Sequence, residues 1–130
     1  PRVNFRAALR QAFRVALEDF AATGIVAFTP DEIPGLLEQV REAAEPKFGD
    51  YSGTMAMQLA KRAGRKPREL ATEIAARLAL APGYADLFEP PGDPVGPGFI
   101  NVRVRDGALA AAVTSAVADE RMGVAAVPEP

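Results

Sequence analysis

Apolar and polar positions follow a helical period in the first part of the chain. Within residues 4–22, apolar side chains recur every three or four positions, at Phe5, Leu9, Ala12, Phe13, Ala16, Leu17 and Phe20. This spacing predicts an α-helix with one buried stripe, and Asn4 suits the N-cap because its side chain can accept a hydrogen bond from the first turn. Arg6, Arg10 and Arg14 follow at intervals of four residues on the opposite side. We interpret this basic face as a solvated helix surface that could also contact phosphate.

The pattern becomes ambiguous after Gly24, where the helix is expected to end. The apolar run at residues 25–28 predicts either a short strand or a packed loop. In residues 30–46, apolar side chains lie at helical spacing at Leu36, Leu37, Val40 and Ala44. The part from Gln39 onwards also fits an extended chain, so periodicity leaves both conformations open there.

Two helices with a basic connection are predicted next. Residues 54–63 have helical periodicity and are followed by Gly64, which readily adopts the left-handed conformation found after helix ends. Pro67 is favourable in the first turn of the following helix, residues 67–80. The connection lies close to a helix N-terminus, which attracts anions, and this region carries Lys61, Arg62, Arg65, Lys66 and Arg68. These basic residues are candidate phosphate contacts, and the alternative is a solvated loop.

The second half of the chain predicts strands. Residues 84–89 and 99–105 are expected to pair, joined by the sequence PPGDPVGP at residues 90–97, which cannot form regular structure. A last helix is expected from Asp106 through Ala118. Helices and strands in this mixed order favour an α+β fold, a two-layer sandwich in which helices pack on one face of a small, mainly antiparallel sheet.

The strand within GPGFINVRVR, residues 96–105, has two different faces. The face expected to pack against the helices carries Ile100, Val102 and Val104. The outer face carries Phe99, Asn101, Arg103 and Arg105. A ring can stack on a nucleobase, an amide can hydrogen-bond to a base edge, and a guanidinium can bind phosphate, so this face fits a base-reading surface. In the alternative, Phe99 is covered by residues 90–97 and the polar side chains are merely solvated.

Composition indicates an ordinary globular domain. The chain has 130 residues, 48% of them hydrophobic and 25% charged, which fits one folded unit with a single core. Its net charge of -2 provides no overall attraction to nucleic acid. Residues 18–50 carry eight acidic and two basic side chains, whereas residues 58–78 carry six basic and two acidic ones. The second segment is therefore the expected contact region for a polyanion.

The absence of cysteine and histidine excludes several kinds of active site. Without Cys there is no disulfide framework, no thiolate nucleophile and no cysteine zinc site. Without His, neither Ser52 nor Ser115 has an imidazole base, which excludes a serine triad of the usual kind. A catalytic site would have to use carboxylates, Lys or Tyr, for example Asp50 with Tyr51. The sequence FGDY fits a turn better, in which Gly49 provides permissive dihedral angles and Asp50 caps the following backbone.

Two stretches of the chain resemble a known family. FGDYSGTMAMQLAKRAGRKPRELA at residues 48–71 and GPGFIN at residues 96–101 match, in order and spacing, motifs of the N-terminal additional domain of arginyl-tRNA synthetase. The family pattern is an (F/H)GD(Y/F) turn, a helix ending in A-K-x-x-G, then x-P-R-x-(L/I)-A and a GPGFIN strand. The resemblance extends over about residues 40–124, where RMGV lies near the family's junction with the catalytic domain.

The resemblance implies a function in tRNA recognition. Members of the family are class I synthetases that attach arginine to its tRNA using ATP. Their N-terminal domain is a non-catalytic α+β unit that contacts the outer corner of the tRNA and reads a base in the D-loop. The aromatic and amide residues of GPGFIN make that contact, so Phe99 and Asn101 inherit the role, with Gly96 in the approach loop. Arg103, Arg105 and the basic residues between the two middle helices would then contact phosphates.

Two details of the chain bear on this resemblance. It favours an extended conformation for residues 40–46 over the helical alternative. The long Pro/Gly insert at residues 90–97 departs from the family pattern and could alter the loop beside Gly96.

The resemblance also limits what this chain is expected to do alone. Class I synthetases carry a His-x-Gly-His motif and a Lys-containing signature loop, and both are missing from this sequence. We therefore expect no catalytic residue, metal or cofactor here, with ATP and Mg²⁺ used only by a parent enzyme. The expected partners are arginine tRNA and the catalytic domain of the same chain. We further expect a monomeric, soluble, cytoplasmic protein without membrane association.

The expected domain boundaries follow from the same comparison of motifs. Residues 1–123 would form the tRNA-binding domain, and residues 124–130 (VAAVPEP) a linker toward a catalytic domain. A different class of function stays open beside this one. In that alternative the chain is an interdomain or protein–protein packing module whose Phe99 face docks on protein and makes no direct contact with nucleic acid.

Overall fold

The computed structural model describes residues 4–110 of the chain. Its helices are α1 (Phe5–Ala22), α2 (Ile33–Leu37), α3 (Met55–Ala63), α4 (Pro67–Ala79) and α5 (Tyr84–Leu87). Its strands are β1 (Val40–Glu42), β2 (Tyr51–Gly53) and β3 (Ile100–Val102), and 3-10 turns lie at Pro30–Glu32 and Pro46–Phe48. Residues 106–110 are helical, as predicted for the last helix. The rest of that helix to Ala118, the RMGV segment and the predicted linker at residues 124–130 lie outside the described residues.

The three strands form one antiparallel sheet in the order β1-β2-β3. On one face of the sheet, the pairing aligns Arg41, Ser52 and Asn101 across the strands. The other face is buried, and from β3 onwards it carries Ile100, Val102 and Val104, as predicted. The antiparallel sheet with packed helices confirms the predicted α+β fold.

Helix α1 packs on the buried face of the sheet. Its buried stripe consists of Leu9, Ala12, Phe13, Ala16, Leu17 and Phe20. A Cβ atom at Gly53 would lie 2.9 Å from the ring of Phe13, so glycine lets α1 pack closely on β2. Helices α2, α4 and α5 contact α1 and complete this layer. Within residues 4–110, no helix is both long and apolar enough to cross a bilayer.

The predicted helix ends are confirmed. Asn4 is the N-cap of α1, and its side-chain oxygen accepts a hydrogen bond of 3.0 Å from the N–H of Ala7. Gly64 follows α3 with a φ of 63°. Pro67 is the first residue of α4, where its missing N–H costs no intrahelical hydrogen bond. These signals act locally, and this is why the sequence alone located them.

The predicted strand at residues 84–89 is wrong, because Tyr84–Leu87 forms the short helix α5. Tyr84 and Phe88 stand one helical turn apart, and their ring centroids lie 5.2 Å from each other. The Tyr84 hydroxyl donates a 2.7 Å hydrogen bond to the carbonyl of Glu89, which satisfies a buried polar group. Only Phe88 pairs with the chain after β3, in an isolated bridge to Val104. The extended partner of β3 is therefore β2.

The ambiguous segment at residues 30–46 contains both conformations that the sequence left open. Its first half is helical and includes α2, which buries Leu36 and Leu37. Its second half contains β1, so Val40 belongs to a strand, as the family resemblance favoured. The apolar run at residues 25–28 is a packed loop that buries Val26 and Phe28.

The FGDY sequence connects a 3-10 turn to β2 and is held against β3. Gly49 has a φ of 109°, and a Cβ atom there would lie 2.7 Å from the carbonyl oxygen of Val102. The N–H of Asp50 donates to that carbonyl at 2.8 Å. The Asp50 carboxylate accepts a 2.8 Å hydrogen bond from the N–H of Val104, a residue 54 positions later. Asp50 therefore joins distant backbone segments, whereas the sequence predicted a cap on the backbone that follows it.

Candidate nucleic-acid interface

The outer face of the sheet forms a groove. The aligned side chains of Arg41, Ser52 and Asn101 cross its floor from β1 to β3. The groove has a volume of about 450 Å³ and is also lined by Gln39, Glu42, Ala43, Ala44, Phe48, Thr54, Val95, Gly96 and Phe99. We call this depression the sheet groove. Its walls are largely apolar and its floor is polar, an arrangement that suits a planar group with hydrogen-bonding edges.

Phe99 is held at the groove by a tight turn. Val95 and Phe99 exchange two backbone hydrogen bonds, of 2.9 and 3.1 Å, and so form an isolated antiparallel bridge. Gly96 turns the chain with a φ of 56°, and a Cβ atom there would lie 3.9 Å from the Phe99 ring. The turn thus packs against a half-buried ring, and both the turn and the ring line the sheet groove. Phe99 is packed against the insert, as the alternative interpretation expected, and it still borders the groove, so its use as a base reader stays a prediction.

Asn101 lies on the groove floor, and no described residue engages its amide. The side chain is half-buried, and it makes no hydrogen bond to any other described residue. Ser52, its neighbour on β2, is also half-buried. A carboxamide offers two donors and one acceptor oxygen, which can pair with the edge of a planar ligand. The groove floor therefore presents free hydrogen-bonding capacity between apolar walls.

A direct contact joins the groove to the start of α4. Gly98 has a φ of 117°, and a Cβ atom there would lie 3.1 Å from the backbone of Pro67. Arg68 donates a 2.8 Å hydrogen bond from Nη2 to the carbonyl of Pro94. The basic connection between α3 and α4 therefore lies beside the turn that carries Phe99, although about thirty residues separate them in sequence.

The basic residues near this connection differ in their engagement. Arg62 is bound to the carboxylate of Glu32, and its Nη1 donates to the carbonyl of Ala27 at 3.2 Å. The guanidinium of Arg65 lies 3.6 Å from the Glu69 carboxylate. Within the described part of the chain, Lys61 and Lys66 are exposed and form no ion pair. Of the predicted phosphate contacts in this region, the two lysines are thus the most accessible.

The two arginines after β3 differ in position. Arg105 is half-buried, and its Nε donates a 2.6 Å hydrogen bond to the carbonyl of Ala85. Arg103 is exposed and lines a second depression of about 240 Å³ that adjoins the sheet groove through Phe48 and Asn101. Of the pair, Arg103 is therefore the better placed for a ligand that extends from the groove.

Phe48 is a groove residue that sequence analysis missed. Its side chain is 36% exposed, which is unusual for a large ring, and it lines the same groove as Phe99. The ammonium of Lys47 lies 5.1 Å from the ring centroid. The sequence FGDY indicated only a turn, and the turn leaves Phe48 accessible at the groove. The signal in the sequence was an aromatic residue directly before a Gly-Asp turn, where no core position is expected.

Ionisation near the site is governed by specific contacts. The hydrogen bond from Arg62, supported by the N–H of Thr29, lowers the pKa of Glu32 to about 2. Burial raises the pKa of the Tyr51 hydroxyl, and the charges of Glu42 and Asp50 add to this rise. Residues 4–110 contain no group of three or more acidic side chains arranged to hold a metal ion.

Comparisons with known proteins identify the family. The family model for the arginyl tRNA synthetase N terminal domain matches residues 7–104. Arginine-tRNA ligase of Rhodopirellula baltica is 41% identical over 102 residues, which cover 78% of this chain and 14% of that protein. The ligase of a Synechococcus species is 40% identical over 119 residues, 92% of this chain and 19% of that protein. The ligase of Cutibacterium acnes is 38% identical over 96 residues, 74% of this chain and 16% of that protein.

The matched region coincides with the described fold and contains the whole sheet groove. The chain spans less than a fifth of the length of these curated relatives. The match of the family model to most of the chain confirms the resemblance found in the sequence motifs. The chain therefore belongs to the family of arginyl-tRNA synthetase N-terminal domains.

Proposed function

We propose that this chain is the tRNA-recognition domain of an arginine-tRNA ligase and that the sheet groove binds an unstacked base of the D-loop. The observation that carries the proposal is the combination of an accessible aromatic ring with an unengaged amide in one groove. Phe99 would stack on the base, and Asn101 would hydrogen-bond to its edge. Gly96 would shape the approach loop by keeping the turn free of a side chain next to the ring.

Phe48 adds a second aromatic surface to this proposal. It lines the groove together with Phe99, so a base in the groove would meet apolar surface from β3 and from the turn before β2. Arg41 and Ser52 lie in line with Asn101 and would supply further polar contacts from the groove floor. A single-stranded base is complementary to both kinds of surface, because its faces are apolar and can pack on the rings, and its edges are polar and can hydrogen-bond to the groove floor.

Phosphate contacts would come from the basic side chains around the groove. The proposed residues are Lys61, Arg62, Arg65, Lys66, Arg68, Arg103 and Arg105. We rank the exposed Lys61 and Lys66 first, because Arg62, Arg65, Arg68 and Arg105 already make hydrogen bonds or ion pairs. Arg62 in particular would have to leave Glu32 before it could bind phosphate.

The activity of a longer protein is part of the same proposal. We propose that a parent chain attaches arginine to tRNA with ATP and Mg²⁺, and that its catalytic domain supplies these steps. The domain described here would act by positioning the tRNA. A stacked base contributes about 1–3 kcal/mol, so the isolated domain should bind tRNA with roughly micromolar to millimolar affinity that falls with added salt. Tethering to a catalytic domain would turn this weak contact into a useful one.

The test is a fluorescence anisotropy titration of the chain with three RNAs. These are an arginine tRNA transcript, the same transcript with a substituted D-loop base, and an unrelated tRNA, each at two salt concentrations. We expect Phe99→Ala to weaken binding of the first transcript by about 1–3 kcal/mol through the loss of stacking. Asn101→Ala should also weaken it, through the loss of the hydrogen bond to the base edge. Leu80→Ala is the matched control, because Leu80 is an exposed apolar residue at the end of α4 and lies outside the groove.

The pattern of effects decides between the two classes of function. If the groove reads the base, the losses of binding free energy caused by the D-loop substitution and by the two groove variants will not add, because each change removes the same interaction. If binding is absent, or indifferent to all three changes, the proposal fails. The outer sheet face would then be a surface for packing against protein, which is the alternative function.

A further inference from the structure

A second cleft lies between the first half of α1 and α2. It has a volume of about 380 Å³, and its lining includes Arg6, Arg10, Arg14, Pro34, Leu37 and Glu38. The three arginines are the basic row that the sequence placed on the exposed side of α1. None of the contacts proposed above uses this cleft, which lies on the helical layer and not on the outer face of the sheet.

In the described part of the chain, the arginines of the cleft have no acidic partners. Within residues 4–110, none of the three forms an ion pair, whereas Arg62, Arg65 and Arg77 each bind a glutamate. The Nε atom of Arg10 is buried and makes no hydrogen bond. A buried guanidinium N–H without an acceptor is costly, so this atom marks a position where an external acceptor would be stabilising.

The charge in the cleft favours an anion. Three guanidinium groups face the single carboxylate of Glu38 among the lining residues. The first turn of α1 lies at the same end, and the positive end of its dipole adds to the potential. A guanidinium can bind phosphate with two parallel hydrogen bonds, and the Nε–H of Arg10 is one of the donors used in that geometry.

The cleft and the sheet groove approach each other just before β1. Glu38 lines the cleft, and the next residue, Gln39, lines the groove. The cleft also approaches the strand next to β1, because Arg6 is close enough to Tyr51 for the charge of Arg6 to oppose the rise in the pKa of the Tyr51 hydroxyl. Tyr51 is followed by Ser52 on the groove floor. A polynucleotide with one base in the groove could therefore pass around the edge of β1 and reach the arginines.

We propose that the cleft between α1 and α2 binds a backbone phosphate of the RNA whose base occupies the sheet groove, with Arg10 as the central contact. The identity of the RNA rests on the proposed function, whereas the phosphate site rests on the cleft itself. Arg6 and Arg14 flank Arg10 at one helical turn on either side and would hold the neighbouring charge of the backbone. This adds a phosphate site distinct from the basic connection between α3 and α4.

The test measures how RNA binding depends on salt. The chain is titrated with the arginine tRNA transcript at several salt concentrations, with the variants Arg10→Gln, Arg14→Gln and Arg10→Lys. The logarithm of the binding constant falls linearly with the logarithm of the salt concentration, and each lost phosphate contact reduces this slope by about 1. We expect that reduction for the two glutamine variants. Arg10→Lys should keep the slope and weaken binding, because it keeps the charge and loses the Nε donor.

Two controls make the result specific. Arg77→Gln removes the same charge from α4, outside the cleft, and should leave the slope unchanged once folding of the variant is verified. In an NMR titration, the Arg10 Nε–H signal should shift on addition of the transcript. Equal effects of Arg10→Gln and Arg77→Gln, or an unshifted Arg10 signal, would overturn the proposal and leave the cleft as a surface for protein or solvent.

The two proposals can fail separately. If Phe99→Ala and the D-loop substitution have no effect while Arg10→Gln lowers the slope, the cleft binds RNA and the base-reading proposal is wrong. If the groove variants weaken binding and the slope is the same in Arg10→Gln, the groove reads the base and the phosphate site in the cleft is refuted.

Discussion

Asp50 is the residue that fixes β2 relative to β3. Its N–H donates to the carbonyl of Val102, and its carboxylate accepts from the N–H of Val104. Gly49 allows this approach, because any side chain there would meet the Val102 carbonyl at 2.7 Å. The result is the register in which Ser52 lies opposite Asn101. The Asp50 carboxylate, which lies outside the groove, thus supports the register that places Ser52 and Asn101 together in the groove.

We predict that Asp50→Ala destabilises the fold. The substitution leaves the Val104 N–H, whose residue is buried, without its acceptor, and an unsatisfied donor costs about 1–3 kcal/mol. The measurement is urea-induced unfolding, in which the midpoint should fall with an unchanged slope. Asp93→Ala is the matched control, because Asp93 is an exposed carboxylate of the insert. Asp50→Asn keeps an acceptor oxygen and should lose less stability than Asp50→Ala. Similar losses of stability in all three variants would contradict the role of the Asp50 carboxylate as acceptor for the Val104 N–H.

Strand alternation explains which site residues the sequence could identify. Phe99 and Asn101 are two positions apart, so their common outer face followed directly from the period of a strand. Phe48 could not be found this way, because its exposure depends on how the turn at Gly49 packs against β3. The engagement of Arg62 by Glu32 was also hidden, because 30 residues separate them and no local pattern connects them.

At the scale of elements, short segments are where sequence interpretation failed. In residues 84–89, Tyr84, Leu87 and Phe88 fit one face of a helical turn, and the segment is too short for periodicity to distinguish this from a strand. The burial of Tyr84 and its hydrogen bond to Glu89 select the helix. Longer elements such as α1 and α4 repeat their pattern over several turns, and both were located correctly.

The Glu32–Arg62 pair links the 3-10 turn before α2 to the end of α3. Because Arg62 and Thr29 stabilise the carboxylate, the pKa of Glu32 falls from its ordinary value of 4.5 to about 2 in the folded chain. The folded state therefore holds this proton less tightly than the unfolded chain. The contribution to stability is complete above the pKa of the unfolded chain and is lost as pH falls toward the folded pKa.

We predict that Glu32→Gln lowers the thermal midpoint at neutral pH and that its difference from the wild type narrows as pH falls from about 5 to about 2. Thermal unfolding followed by circular dichroism at several pH values measures this. Arg62→Gln should show the same narrowing. The double variant should lose less stability than the two single losses added together, since both substitutions remove the same interaction. A difference that stays constant across this pH range would refute the assignment.

At the scale of the whole molecule, the Gly98–Pro67 contact joins the helical layer to the groove. It places the start of α4 against the turn that carries Phe99, and the Arg68–Pro94 hydrogen bond reinforces it. The two sequence motifs that identified the family thus form one contiguous structure. Sequence reasoning found both motifs and predicted the α+β class, but the contact between them depends on tertiary packing and could not be read from either one.

We predict that Gly98→Ala reduces the free energy of RNA binding by about as much as Phe99→Ala, roughly 1–3 kcal/mol. An alanine would need a φ near 117° and would place its Cβ 3.1 Å from Pro67, so the turn must move and carry the ring with it. The anisotropy titration described for the groove variants measures this. Gly92→Ala is the control, because a Cβ atom there meets nothing within 4 Å. Unchanged RNA binding in a folded Gly98→Ala variant would show that the ring position does not depend on this contact.

The pairing of Ser52 with Asn101 makes accurate folding a condition for the recognition that we propose. Because side chains alternate across a strand, a shift of β3 by one residue would bury Asn101 and turn aliphatic side chains toward the groove. Such a molecule would keep its helices and its compact size, and it would lack the proposed base-reading surface. The Asp50–Val104 hydrogen bond opposes the shift, since a displaced strand would separate donor from acceptor. Variants that weaken this hydrogen bond should therefore first lower the fraction of molecules that can bind RNA, which a titration reports as a reduced stoichiometry. The affinity of the molecules that remain correctly paired should change less.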